Sequence, residues 1–173
     1  EKVIAGLRPL EQFMEEGSFL MPEIPALLRV IQAMGAPEYM DYDYLLSLSG
    51  MAVRFAWQQG WAAYEGLPNQ AVFYNQGGRG IVEIAADRIG LEYRKRLPSK
   101  AAAEEIKASL DRGVPVLMEH QDWAWGTILG YDGDSLLAVS VFADKGKRDP
   151  RGFNLLTGWE RGLESYTLFS RFR

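Results

Sequence analysis

Few reactions are open to this chain of 173 residues, because it has no cysteine and a single histidine, His120. Thiolate nucleophiles, disulfides, iron–sulfur clusters and cysteine-based zinc sites are excluded, and so is any site that needs two imidazoles. A metal could be held only by carboxylates with at most one imidazole, and no EF-hand spacing is present, so no metal site is expected. A serine nucleophile stays chemically open. It needs a base within hydrogen-bond reach, and His120 is the only imidazole available for that role. With Glu119 before it and Asp122 just after, His120 could equally be a surface histidine at the end of a strand.

Other residue groups offer binding rather than reaction. The run Gly77-Gly78-Arg79-Gly80 stands before a helical stretch, where backbone amides can cradle an anion. It lacks the Lys-Ser or Lys-Thr of a phosphate loop and the dinucleotide spacing, so a helix-entry turn or a lid is expected and no cofactor is implied. Trp123 and Trp125 would share one face of an extended strand, with Ala124 opposite. They either fill core or line a small-molecule site and donate indole hydrogen bonds. Ser47, Ser49, Gly50 and Arg54 interrupt an otherwise apolar helical region. One account is a bend, with Arg54 pairing with an acid such as Asp43; the other makes Arg54 a two-point anchor for a carboxylate or other anion.

The elements that must position these groups are legible from periodicity. Ile24, Leu27, Leu28, Ile31 and Met34 fall on one face of a helix over residues 22–34, with Pro22 early and Gly35 just past its end. A second helix begins near Asp41, whose carboxylate can cap free amides, and carries Leu45, Leu46 and Leu48 up to Ser49-Gly50; helical character resumes over residues 51–59. Ile81, Ile84, Ala85 and Ile89 mark a helix closed by Gly90, and residues 91–97 read as a strand. Pro98-Ser99 starts a helix with Ala102, Ile106 and Leu110 on one face and Gly113 at its end. The period then changes: residues 114–119, 125–131 and 135–142 read as strands, the last two joined by the hairpin signal Asp132-Gly133-Asp134, and residues 166–172 as a final strand. Residues 143–152, with Lys145, Lys147, Arg148 and Arg151, read as a long exposed loop. Helices in the first two-thirds and hairpin-linked strands in the last third predict an α+β fold with a mainly antiparallel sheet.

Composition sets the remaining bounds. A chain of this length buries roughly 70% of its unfolded surface, enough for one full core, so a single domain over residues 1–173 is expected. The net charge of −4 speaks against a nucleic-acid partner, which requires a clustered positive field. The longest apolar run, residues 136–143, has the length of a strand, so no membrane span is expected. The start at Glu1-Lys2-Val3 shows no secretion signal and no initiator Met; a cytoplasmic address is the default, and the chain could be a piece of a longer protein.

Three segments carry a resemblance. They are the early helix from Ile24 to Gly35, the stretch Tyr44-Leu45-Leu46-Ser47-Leu48-Ser49-Gly50-Met51-Ala52-Val53-Arg54-Phe55, and Gly113-Val114-Pro115-Val116-Leu117 followed by Trp125-Gly126-Thr127-Ile128-Leu129-Gly130-Tyr131-Asp132. Together they resemble the papain-like cysteine peptidase superfamily, in the branch of the bacteriocin leader peptidases and the N-terminal domain of the butirosin-biosynthesis acyltransferase. The resemblance implies a papain-like fold over roughly residues 18–142. In it a helix ending in glycine leads into a Gly-x-Pro-Val strand, and a Gly-Tyr-Asp turn follows the strand that carries the catalytic histidine.

The catalytic residues of that superfamily do not carry over. Its cysteine stands at the start of the early helix, where amides and the helix dipole stabilise a thiolate; here that neighbourhood reads Ser18-Phe19-Leu20-Met21-Pro22. Its histidine position falls on Ala124 or Trp125, and the place of its orienting Asp or Asn on Val139-Ser140-Val141. Ser18 with His120 is the one nucleophile and imidazole pair that roughly follows the family order. Three functions follow as alternatives. A catalytically degenerate domain would bind a small molecule or peptide in the vestigial groove, with Trp123, Trp125, Ser49, Arg54 and Tyr131 as binding candidates. A residual hydrolase or acyltransferase would use Ser18 and His120. A structural interaction module could form a homodimer.

Overall fold

Asp132 and Ser135 close a two-residue hairpin over Gly133, whose φ of 59° suits glycine alone without strain, and the sheet can be traced outward from this turn. The computed structural model describes residues 1–4, 23–39, 41–49, 80–121, 124–140 and 151–173, with the side chains of residues 37, 124, 125 and 140 outside the description. The hairpin arms are β4 (Ala124–Asp132) and β5 (Ser135–Ser140). β3 (Val116–His120) pairs with the first half of β4, and β1 (Lys2–Val3) flanks its second half. Beyond β3 lie β7 (Leu163–Phe172) and then β2 (Leu91–Arg96); beyond β5 lies β6 (Asn154–Leu156). Each of these pairings is antiparallel.

Helices cover both faces. On one side α1 (Glu23–Ala33), α2 (Tyr42–Leu48) and α3 (Ile81–Arg88) share a core with Leu91, Leu117 and Phe169. On the other, α4 (Ala102–Asp111) packs Ala102, Ile106 and Leu110 against Val116, Met118, Ile128, Leu136 and Tyr166. The local signals act as expected: Asp41 caps α2 by accepting from the Tyr44 amide at 2.7 Å, and α1, α3 and α4 run out at Gly35, Gly90 and Gly113.

Three features differ from the sequence reading. α1 is buried continuously from Glu23 through Ile31 rather than along one stripe, because α2 and α3 cover the side that the sheet does not. Arg29 is therefore interior, and burial pulls its guanidinium down to about 10, which leaves it charged at neutral pH. β1 and β6, of two and three residues, are too short to show alternation and were not anticipated. β7 begins at Leu163, three residues before the expected start, directly after a 3-10 turn at Trp159–Arg161. The expected helix over 51–59 lies outside the described residues, as do residues 143–150 of the expected loop; Arg151 and Gly152 are exposed. Among the described residues no helix is long and apolar enough to cross a membrane.

Candidate functional site

Alternation along β3 determines what His120 can reach. Leu117 belongs to the core under α1, whereas Val116 and Met118 belong to the core under α4. β3 pairs with β4 in unbroken register through His120 and Ala124, so His120 shares the α4 side with Val116 and Met118. Its surroundings agree. Nε2 lies 3.2 Å from the carbonyl oxygen of Trp159, which can only accept, so Nε2 donates. The ring rests on Gly162, where a β-carbon would come within 2.5 Å of Nε2 and 3.0 Å of Nδ1. The Gln121 amide donates to Gly162 O at 2.8 Å and closes the arrangement. His120 is thus a buried side chain binding β3 to the turn before β7, not a surface histidine, and it faces away from α1.

The residue before it points the other way. Glu119 accepts from Ser165 Oγ at 2.9 Å and lies 3.7 Å from Lys95 Nζ, which is 3.6 Å from Glu83 of α3. Four elements, α3, β2, β3 and β7, therefore converge on a polar set in which two carboxylates share one ammonium, under the α1 and α3 side of the sheet. α1 crosses nearby. Thr127 Oγ1 of β4 donates to Ala26 O in the first turn of α1 at 3.4 Å, and Thr127 is the register partner of Leu117. Glu119 lies two residues further along β3, about 7 Å away, opposite Trp125. None of the four was singled out from sequence. The available signal was a charge in an apolar strand at Glu119 and another on the buried face of α3 at Glu83, which is 5% exposed.

The candidates named from sequence are not brought together on this side. Tyr131 packs against the α4 core, donates to Asp111 Oδ1 at 2.9 Å and has Lys107 Nζ 5.5 Å from its ring centroid. That hydrogen bond, with lesser contributions from burial and the Asp111 charge, raises its pKa. Ser49 is buried at the end of α2, where its hydroxyl donates to Leu46 O at 2.7 Å. Ser18, Arg54 and Trp123 lie outside the described residues; of Trp125 only the strand position is described. Among the described residues no cluster of three metal-binding side chains occurs.

Over the full length of both chains, the structure is similar to that of a protein from Bacillus anthracis described as a C39-like peptidase, with a TM-score of 0.59 and 13% sequence identity. The fold is papain-like, of the C39 peptidase type. The peptidase domain of Streptococcus ComA, a bi-functional ABC transporter involved in a quorum sensing pathway, aligns over 87% of this chain and 90% of its own at 16% identity and a TM-score of 0.49. No family model matches the sequence, and no curated protein matches it significantly. In this C39-type fold the Gly-Tyr-Asp segment ends β4, and Gly130 has a defined purpose: a β-carbon there would collide with Lys2 O and come within 3.0 Å of Val3 Cα, so glycine admits β1. Ala124 and Trp125, the positions where the sequence resemblance leads one to expect a catalytic histidine, open β4.

Proposed function

We propose that this chain is a catalytically degenerate C39-type domain that binds a small molecule or a peptide in the groove between the start of α1 and the β3–β4 end of the sheet. The observation that carries the reading is the placement of His120. A papain-like reaction needs an imidazole on the α1 side of the sheet, and the only imidazole in the chain is held on the α4 side by Trp159 O and Gly162. The same observation weighs against a residual hydrolase built from Ser18 and His120.

Binding chemistry takes the place of the reaction. Glu119, which already accepts from Ser165 Oγ and lies 3.7 Å from Lys95 Nζ, keeps acceptor capacity on its carboxylate, so the groove suits a ligand with N–H donors such as an amine or a peptide backbone. Titration of tryptophan fluorescence against a library of short peptides and amine metabolites tests this. The expected outcome is saturable binding that Glu119→Gln weakens about tenfold, in line with loss of a charge-assisted hydrogen bond. Absence of any saturable ligand, or binding indifferent to Glu119→Gln, would instead favour an interaction module.

A further inference from the structure

At the far end of β7 from His120 the surface opens into a cleft of about 610 Å³, lined by Arg94, Arg112, Arg173, Tyr93, Leu168 and Phe169 together with Asp87, Glu92 and Ser170. From Leu163, the register partner of His120, to Ser170 the strand covers about 20 Å, so this cleft is separate from the site proposed at the start of α1. Its volume falls in the range of small-molecule sites, about 300–1,000 Å³.

The charges in the cleft are unevenly satisfied. Glu92 is already engaged: Ser170 Oγ donates to it at 3.3 Å, Arg171 Nε at 3.2 Å, and Arg173 Nε lies 3.8 Å away. The side-chain hydrogen bond from Arg171 is the main reason its pKa is lowered. Asp87 accepts from Tyr93 OH at 3.5 Å. Arg94, on the edge strand β2, and Arg112, at the C-cap of α4, have neither an ion pair nor a side-chain hydrogen bond among the described residues. Three guanidiniums, of Arg94, Arg112 and Arg173, thus line the cleft with two carboxylates, a local surplus of one positive charge on a chain whose net charge is −4. Leu168, on the same face of the sheet as its register partner Arg94, supplies apolar wall between them.

We propose that this cleft binds a small organic anion, a carboxylate or phosphate carried on an apolar or aromatic body, with Arg94 and Arg112 as the anion-holding residues. The planar guanidinium presents paired donors that match both oxyanions, and Leu168, the register partner of Arg94, contacts the body of the ligand. Selection between the two head groups rests on how many oxygens the arginines can engage at once.

Isothermal titration with benzoate, phenyl phosphate and inorganic phosphate tests the proposal, using Arg94→Gln, Arg112→Gln and, as a control away from the cleft, Lys100→Gln. All three positions are exposed, so each variant should fold, which circular dichroism checks. Saturable one-to-one binding of benzoate or phenyl phosphate, tighter than inorganic phosphate and weakened about tenfold by either arginine variant but not by Lys100→Gln, is the expected result. The organic probe that binds tighter identifies the head group. Absence of saturable binding by both organic probes, or binding that neither arginine substitution weakens, would overturn it. Neither result depends on the groove at the start of α1, because Glu119→Gln should leave this binding unchanged.

Discussion

The imidazole of His120 rests on the α-carbon of Gly162, in the space that any side chain at position 162 would occupy. Gly162 has a φ of −113°, open to every residue, so its requirement for glycine is steric, and the three atoms nearest to a β-carbon there all belong to the ring. Gly162→Ala should therefore cost about 2–3 kcal/mol in the native protein and less than about 1 kcal/mol in a His120→Ala background. A double-mutant cycle by urea unfolding measures the difference, and additive costs would contradict the contact.

Gly130 should behave in the same way toward the N-terminal strand. Its β-carbon would meet Lys2 O, so Gly130→Ala should detach β1 from β4. Hydrogen exchange reads this directly. The Ile4 amide, which donates to Leu129 O at 2.9 Å, should lose its protection while the amides of the β3–β4 ladder keep theirs.

Much of this architecture was legible in the sequence, because it rests on local chemistry. Ile24, Leu27, Leu28 and Ile31 announce α1 by spacing, Asp41 announces the start of α2, and Asp132-Gly133 fixes the hairpin and its register. The papain-like fold was legible in the order of these pieces. The polar set was not. Glu83, Lys95, Glu119 and Ser165 meet only because β7 returns between β2 and β3, and no local signal carries that strand order. Likewise, the burial of His120 depends on the turn at Trp159–Arg161, about forty residues away in sequence and too short to show a period.

Thr167 offers a test of the packing under α1. It lies between Lys95 and Leu117 in the sheet, is 1% exposed, and its hydroxyl has no hydrogen-bond partner among the described residues. A buried hydroxyl without a partner costs about 1–3 kcal/mol, and valine keeps the branched shape that the strand favours. Thr167→Val should raise the urea midpoint by an amount equivalent to about 1 kcal/mol without changing the slope of the transition. A loss of stability would indicate that the hydroxyl is satisfied.

The alkaline limb of stability should report Tyr166. Burial, then the hydrogen bond that its hydroxyl donates to Glu105 Oε2 at 2.9 Å, raises its pKa in the folded state. The unfolded chain therefore releases the phenolic proton first. The contribution to stability is complete below the ordinary value of 10.0 and is lost as pH rises through the folded value. Arg29, lowered to about 10, acts in the opposite sense above that pH, so the comparison must be between native protein and Tyr166→Phe. Their difference in unfolding free energy should be constant from pH 7 to 9 and shrink at higher pH; a difference that grew would contradict the shift.

Degeneracy of the site is tested most directly by intact-mass spectrometry after incubation with a serine-directed phosphonate, run beside an ester-hydrolysis assay and repeated with His120→Ala. The expected result is no covalent adduct and no hydrolysis above background in either protein, because the only imidazole is committed to Trp159 O on the side of the sheet away from α1. Stoichiometric labelling of Ser18 that disappears in His120→Ala would contradict that result and establish a working serine–histidine pair.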